Sequence, residues 1–203
     1  MNEQKIWAIG KAHSAIMAYT TVPQLLEGID QISFSPPRDA ALGMKIQHIR
    51  FRGAPLQLKL SDDATLTIPF EPSVYGGGSD PRKSIVFNIS EPLFEAMAAL
   101  EDWCRQALEE QYPTIQANWT TSIKPGEQYE ARLKAKINVS GARQARFYDH
   151  AAQPTEPPSS WKGLEANAIL GVRGVYIQKH SIGLLLEVTD LRYVHPPEQE
   201  CPF

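Results

Sequence analysis

Cysteine is nearly missing from this chain of 203 residues: Cys104 and Cys201 are the only two. They show no Cys-x-x-Cys spacing, which excludes a zinc site of that kind and a disulfide framework. A reducing, intracellular setting is expected. Long apolar runs are missing too, so no stretch of the sequence reaches transmembrane length. Residues 1–19 are too polar for a signal peptide. Without a secretion signal the glycosylation pattern Asn118-Trp119-Thr120 carries no meaning. The expected place is the cytoplasm, or the host-cell cytoplasm for a viral protein. Enzyme templates are absent as well. His13, His48, His150, His180 and His195 have no metal-ligand spacing, and Asp149-His150 reads as an ordinary surface pair. There is no Gly-x-Ser-x-Gly elbow. No catalytic residue, metal or cofactor is expected. Net charge is small, at −3, yet a near-neutral total does not exclude a polyanionic partner, because distribution outweighs the sum.

What the chain does have is turn residues and strands. Its 16 prolines and 13 glycines argue for many turns, as in all-β proteins, and its length suits one domain with a sizeable core. The stretch 165–194 organises the rest. Two strand-forming runs, 166–178 and 182–194, flank the turn Lys179-His180-Ser181, and Gly171, Gly174 and Gly183 mark bends or bulges. Such a hairpin could close a small barrel. Upstream, 22–29 predicts a short helix behind Thr20 or Thr21, with Pro23 in its first turn. Residues 33–38 read as extended or irregular. Strands are expected at 45–52, 56–60, 65–70, 84–89, 128–139 and 145–149, with Asp62-Asp63 as a turn and Pro69 as a sheet-edge mark. In 56–60, Leu56, Leu58 and Leu60 take one side and Gln57 and Lys59 the other. One long helix is expected at 92–111, capped by Ser90 and stopped by Pro113, with an apolar stripe of Leu93, Met97, Leu100, Cys104 and Leu108. Glu95, Glu101, Asp102, Glu109 and Glu110 fall off that stripe, which makes the helix acidic. Residues 150–163 read as a Pro/Ser-rich loop.

Positive charge gathers on strands instead. Arg132, Lys134 and Lys136 share one face of their strand, with Leu133, Ala135 and Ile137 on the other. From His48 onward a second strand places His48, Arg50 and Arg52 opposite Ile49 and Phe51. Like charges on one strand face repel, so solvent or an anionic partner must accommodate them. A solvated outer face is the plain alternative; a phosphate-tracking surface, joined by both strands if they share a sheet face, is the functional one. Single-strand binders stack bases on aromatic rings beside a basic groove. Tyr75, Tyr129, Tyr148, Trp161 and Tyr176 neighbour basic or glycine-rich stretches, and Tyr75 and Trp161, being in loops, are the favoured stackers. The loop Tyr75-Gly76-Gly77-Gly78-Ser79-Asp80, followed by Arg82 and Lys83, lacks the Gly-Lys-Ser/Thr ending of a phosphate loop and leads into a strand. It reads as a connection that can fold over a bound strand, with Arg82 and Lys83 as further phosphate contacts.

The chain finishes His195-Pro196-Pro197-Glu198-Gln199-Glu200-Cys201-Pro202-Phe203, and two prolines before an acidic Pro-Phe terminus suit a flexible tail rather than a folded element. A terminal aromatic beside carboxylates suits a basic pocket on another protein, so Glu198, Glu200, Pro202 and Phe203 are candidate partner contacts. This ending resembles the acidic tails of bacterial and phage single-stranded DNA-binding proteins. The hairpin leading straight into it is similar in layout to the closing strands of phage-type members. The resemblance covers 165–203 and the order of many strands with one long helix. It implies an oligonucleotide-binding (OB) barrel that coats single-stranded DNA in replication or recombination, without catalysis and with replication or recombination proteins as tail partners. The expected fold is therefore mainly β: an OB-like barrel with one long packed helix and extra strands. Residues 1–194 would form one nucleic-acid-binding domain and 195–203 the tail. Single-stranded DNA is the expected ligand, with RNA and self-association left open and no membrane contact. The second class that fits these strands is a structural or assembly protein, such as a viral β-sandwich subunit.

Overall fold

The computed structural model describes residues 19–40, 43–60, 65–74, 80–126 and 130–194. Tyr75, the turn Asp62-Asp63 and the tail contacts Glu198, Glu200, Pro202 and Phe203 lie outside them. The elements are α1 (Val22–Glu27), β1 (Ile32–Phe34), β2 (Arg38–Asp39), β3 (Lys45–Phe51), β4 (Ala54–Lys59), β5 (Leu66–Thr67), β6 (Arg82–Ile89), α2 (Glu91–Leu108), α3 (Ile115–Asn118), β7 (Ile123–Lys124), β8 (Ala131–Asn138), β9 (Arg146–Tyr148), β10 (Pro154–Thr155), β11 (Glu165–Gln178) and β12 (Ser181–Tyr193). The protein is mainly β, with few helices.

The hairpin β11–β12 dominates, as its sequence leads one to expect. β12 runs antiparallel to β11 from Ala166↔Tyr193 to Gln178↔Ser181. The other edge of β11 is shared in succession by β5 at Glu165–Ala166, β4 at Ile169–Val172 and β3 at Gly174–Ile177. β12 in turn pairs in parallel with β8 at Glu187↔Lys136 and then with β9 at Asp190↔Arg146. β8 pairs with β6 along the whole of both strands, and β6 meets β5 at Thr67↔Asn88. The pairings β11–β12–β8–β6–β5 thus return to β11.

One close approach permits the exchange of partners along β11. The register slips between Val172 and Gly174, where Gly174 has φ 157°. A Cβ built on Gly174 would lie 2.2 Å from the Gln47 carbonyl oxygen, so only glycine lets β3 pair there.

α1 starts with a capping box: the Thr21 hydroxyl accepts from Gln24 N, the Gln24 side chain accepts from Thr21 N, and a proline occupies the first turn. α2 buries Leu93, Met97, Leu100, Cys104 and Leu108 as its spacing requires, and ends at Leu108 rather than 111. There Gln111 N and Tyr112 N both turn back to the Leu108 carbonyl. Ser90 precedes the helix in extended conformation, but its hydroxyl makes no capping bond.

Glu101 corrects the sequence reading. It is 4% exposed, not part of the solvated acidic face. Its position, four residues after Met97 and three before Cys104, puts it on the buried stripe. The carboxylate is held there by four donors: Trp119 Nε1 at 3.0 Å, Thr121 Oγ1 at 2.7 Å, Ser122 N at 2.8 Å and Ser122 Oγ at 2.6 Å. Those bonds offset the loss of water around a buried charge and fasten segment 119–122 to the helix. Burial, with the Glu101 charge adding to it, pushes the Cys104 thiol up, so this sulfur stays protonated.

Three further expectations change. Gln57 is buried, accepting from Thr189 Oγ1 at 3.3 Å, although its side of β4 is otherwise polar. The strand at 65–70 shrinks to Leu66–Thr67 because Ile68 bonds instead to the loop before β11, through Ile68 N to Leu164 O and Gly163 N to Ile68 O. The short strands β1, β2, β7 and β10 carry too few residues for a period to be read in the sequence.

Gly174→Ala is expected to destabilise the fold by about 3 kcal/mol or more, since both backbone and clash oppose it. Gly43→Ala, whose Cβ meets nothing within 4 Å, should cost only the left-handed backbone term of about 1–2 kcal/mol. Denaturant melts of the two variants decide this. In the same assay Glu101→Ala should lose about 3 kcal/mol or more by orphaning several donors, while the exposed Glu95→Ala should stay within about 0.5 kcal/mol of the parent.

Candidate nucleic-acid interface

The clean alternation of β8 carries directly into the structure. Leu133, Ala135 and Ile137 are buried, while Arg132, Lys134 and Lys136 share the outer face. β6 lies beside them in the register Arg82↔Asn138, Ser84↔Lys136, Val86↔Lys134 and Asn88↔Arg132, and β7 adds Lys124 opposite Arg132. Paired residues point to the same side of a sheet. Arg82, Lys124, Arg132, Lys134 and Lys136 therefore line one surface. Lys136 donates to Ser84 Oγ at 2.7 Å. Partial burial, then the neighbouring charges of Lys134 and Arg82, hold its ammonium below the usual lysine range, with Asp80 opposing. A strip of cations that repel one another favours an added anion.

The strip also carries an aromatic ring that sequence reasoning passed over. Phe70 is 47% exposed, and the Arg132 guanidinium lies 5.0 Å from its ring centroid. Phe70 closes the expected strand 65–70, where Pro69 marked a sheet edge; no pattern in the sequence separates this ring from a core phenylalanine.

Trp161, by contrast, is a correction. It is 4% exposed and packs edge-on against Phe147, with ring centroids 5.9 Å apart. Its backbone N–H, with that of Lys162 and the Ser160 hydroxyl, donates to the Glu71 carboxylate. Burial opposes ionisation of Glu71, but those donors and the Lys83 charge together hold its pKa below the usual range. The loop is thus pinned with the tryptophan turned inward, and the ring offers no surface to a base.

Arg82 and Lys83 also part company. Lys83 pairs with Ile137 and shares the core-side face of β6, so only Arg82 joins the outer strip.

The β3 cations form a second group. His48 and Arg50 are exposed on the outer face; His48 Nδ1 lies 3.0 Å from the Arg173 carbonyl oxygen, and Arg50 Nη1 donates to Gly53 O at 3.0 Å. Arg52 leaves the alternation, because β3 ends at Phe51 and Arg52 turns at φ 51°. Its Nε donates to Gln31 Oε1 at 2.8 Å, and its guanidinium lies over Phe51. Register links the groups: Gly174 faces both His48 and Leu185, and Glu187, two residues on, faces Lys136. β3 and β8 therefore share a sheet face, as the functional reading required, but β11 and β12 intervene, about 14 Å of sheet. Between them Glu187 accepts from Arg173 Nε at 2.8 Å and Asn138 Nδ2 at 2.6 Å, which interrupts the positive surface.

A further set of carboxylates, Glu91, Glu95, Asp102 and Glu109, is exposed on or at the end of α2. Among the described residues no three His, Cys, Asp or Glu side chains gather as metal ligands, and no helix is long and apolar enough to cross a membrane.

No family model matches the chain, and no curated protein sequence matches it. Among solved structures it is similar to the single-stranded DNA-binding protein from bacteriophage Enc34 in complex with ssDNA, at 9% identity and a TM-score of 0.46 over 81% of this chain and 97% of that one. It is likewise similar to gp2.5, a single-stranded DNA-binding protein encoded by bacteriophage T7, at 13% identity and a TM-score of 0.48 over 68% of this chain and 93% of that one. Both likenesses are to phage single-stranded DNA-binding proteins and cover most of this chain at low identity.

Proposed function

We propose that this protein binds single-stranded DNA, largely without sequence preference, on the outer face of β6, β7 and β8. The observation that carries the reading is the register itself, which aligns Arg82, Lys124, Arg132, Lys134 and Lys136 on one surface beside the exposed ring of Phe70. The cations would contact phosphates and Phe70 would stack a base. His48, Arg50 and Arg52 would be secondary contacts for a strand long enough to pass Glu187. We further read the circuit β11–β12–β8–β6–β5 as an OB-like barrel within a single domain, 1–194, and 195–203 as a tail for replication or recombination partners. The protein would act by binding alone, without catalysis.

Titration with a labelled dT oligomer at several salt concentrations tests this. With 4–5 phosphates neutralised, log K should fall against log salt with a slope of about −3. Replacing Lys134 and Lys136 with Ala should flatten that slope by about 1.4. Phe70→Ala should weaken binding by about 1–3 kcal/mol and leave the slope unchanged. Absence of binding at low salt ends the proposal. A large closed assembly in light scattering without nucleic acid would favour the structural reading instead. An RNA oligomer of equal length, run in parallel, assigns the polymer.

A further inference from the structure

The row of outer-face residues next to Phe70 contains a group that phosphate binding does not use. Thr67, Asn88, Arg132 and Lys124 stand side by side across β5, β6, β8 and β7. Asn88 Oδ1 is a buried acceptor without a hydrogen-bond partner among the described residues. A carboxamide oxygen in that state is costly and is relieved by an arriving N–H donor. The torsion that aims the carboxamide is soft, so the oxygen can turn toward a ligand on the outer face. Beside it, within the same row, the Arg132 guanidinium flanks the exposed Phe70 ring.

We propose that Phe70 and Asn88 form a base-reading subsite that takes a nucleobase bearing an exocyclic amino group, with adenine as the best fit. This inference rests on the single-strand reading above. The base lies on the Phe70 face, and its amino group donates to Asn88 Oδ1. Asparagine matches the adjacent donor and acceptor of adenine through both ends of its carboxamide. Thymine has no exocyclic amine, and its one donor is the ring N3–H set between two carbonyls, so the comparison that isolates the amine is adenine against unsubstituted purine. The subsite superimposes a modest preference at one nucleotide on otherwise sequence-blind binding.

The test uses the full chain and dT oligomers that carry, at one central position, adenine, unsubstituted purine or thymine. Unsubstituted purine keeps the stacking surface and lacks the amine. The adenine oligomer should bind about 3- to 10-fold more tightly than the purine oligomer. Asn88→Ala should abolish that difference. Equal binding of adenine and purine oligomers by the unaltered protein overturns the subsite and leaves single-strand binding standing, whatever the fate of the variant. A preference that persists in Asn88→Ala also overturns it. Failure of every oligomer to bind at low salt removes the single-strand reading, and the subsite with it.

Discussion

Both edges of β11 are occupied, and nearly everything else follows from that demand. One edge holds β12; the other must hold β5, β4 and β3 in turn. The β11–β12 pairing slips twice along that stretch: at Ile169/Leu170, where Thr189 is the extra residue on β12, and at Val172/Gly174, where Arg173 is the extra residue on β11. At the second slip two backbones come so close that a single methyl group would collide with Gln47. The position of β3, and with it the second group of cations, hangs on that contact. Because β12 is locked to β11, it presents a fixed outer edge to β8, which carries the densest positive charge.

Charge and packing are kept apart on the same strands. β8 buries Leu133, Ala135 and Ile137 while holding three cations on its outer side. The price is mutual repulsion, opposed at Lys136 by the Asp80 charge, while its ammonium donates to the Ser84 hydroxyl. Carboxylates that could have neutralised the strip are used structurally: Glu101 holds segment 119–122, Glu71 holds the Trp161 loop, and Glu187 is taken by Arg173 and Asn138. Their acceptor oxygens are committed to those donors, away from the lysines of the strip.

Strict alternation was the part of this architecture most legible in the sequence. It identified the face of β8 and most of β3, because a period of two survives whatever the strand packs against, while the long hairpin showed through its two strand-forming runs about a short turn. Residues whose environment is set by distant segments were not legible. A loop position does not say whether Trp161 meets solvent or Phe147. Glu101 looked solvent-facing by residue type although its spacing put it on the buried stripe; the donors that compensate its charge come from a segment some twenty residues away. Phe70 carried no periodic signal at all. The strip was readable and its aromatic companion was not, since charge patterning is local and exposure of a single ring is a tertiary outcome.

The parallel pairing of β8 with β12 has a consequence for how the chain is made. Lys136 meets Glu187, so about fifty residues, including β9, β10 and β11, separate the partners. At about 5–20 residues per second a ribosome needs roughly 3–10 s to deliver the second after the first. During that interval β8 can pair with β6 on one side, while on the other β7 meets only Arg132 and Leu133 and the edge around Lys136 and Ile137 still lacks β12. The lysines on that strand then serve the nascent chain as well, since charge along an open edge discourages other strands from adding to it.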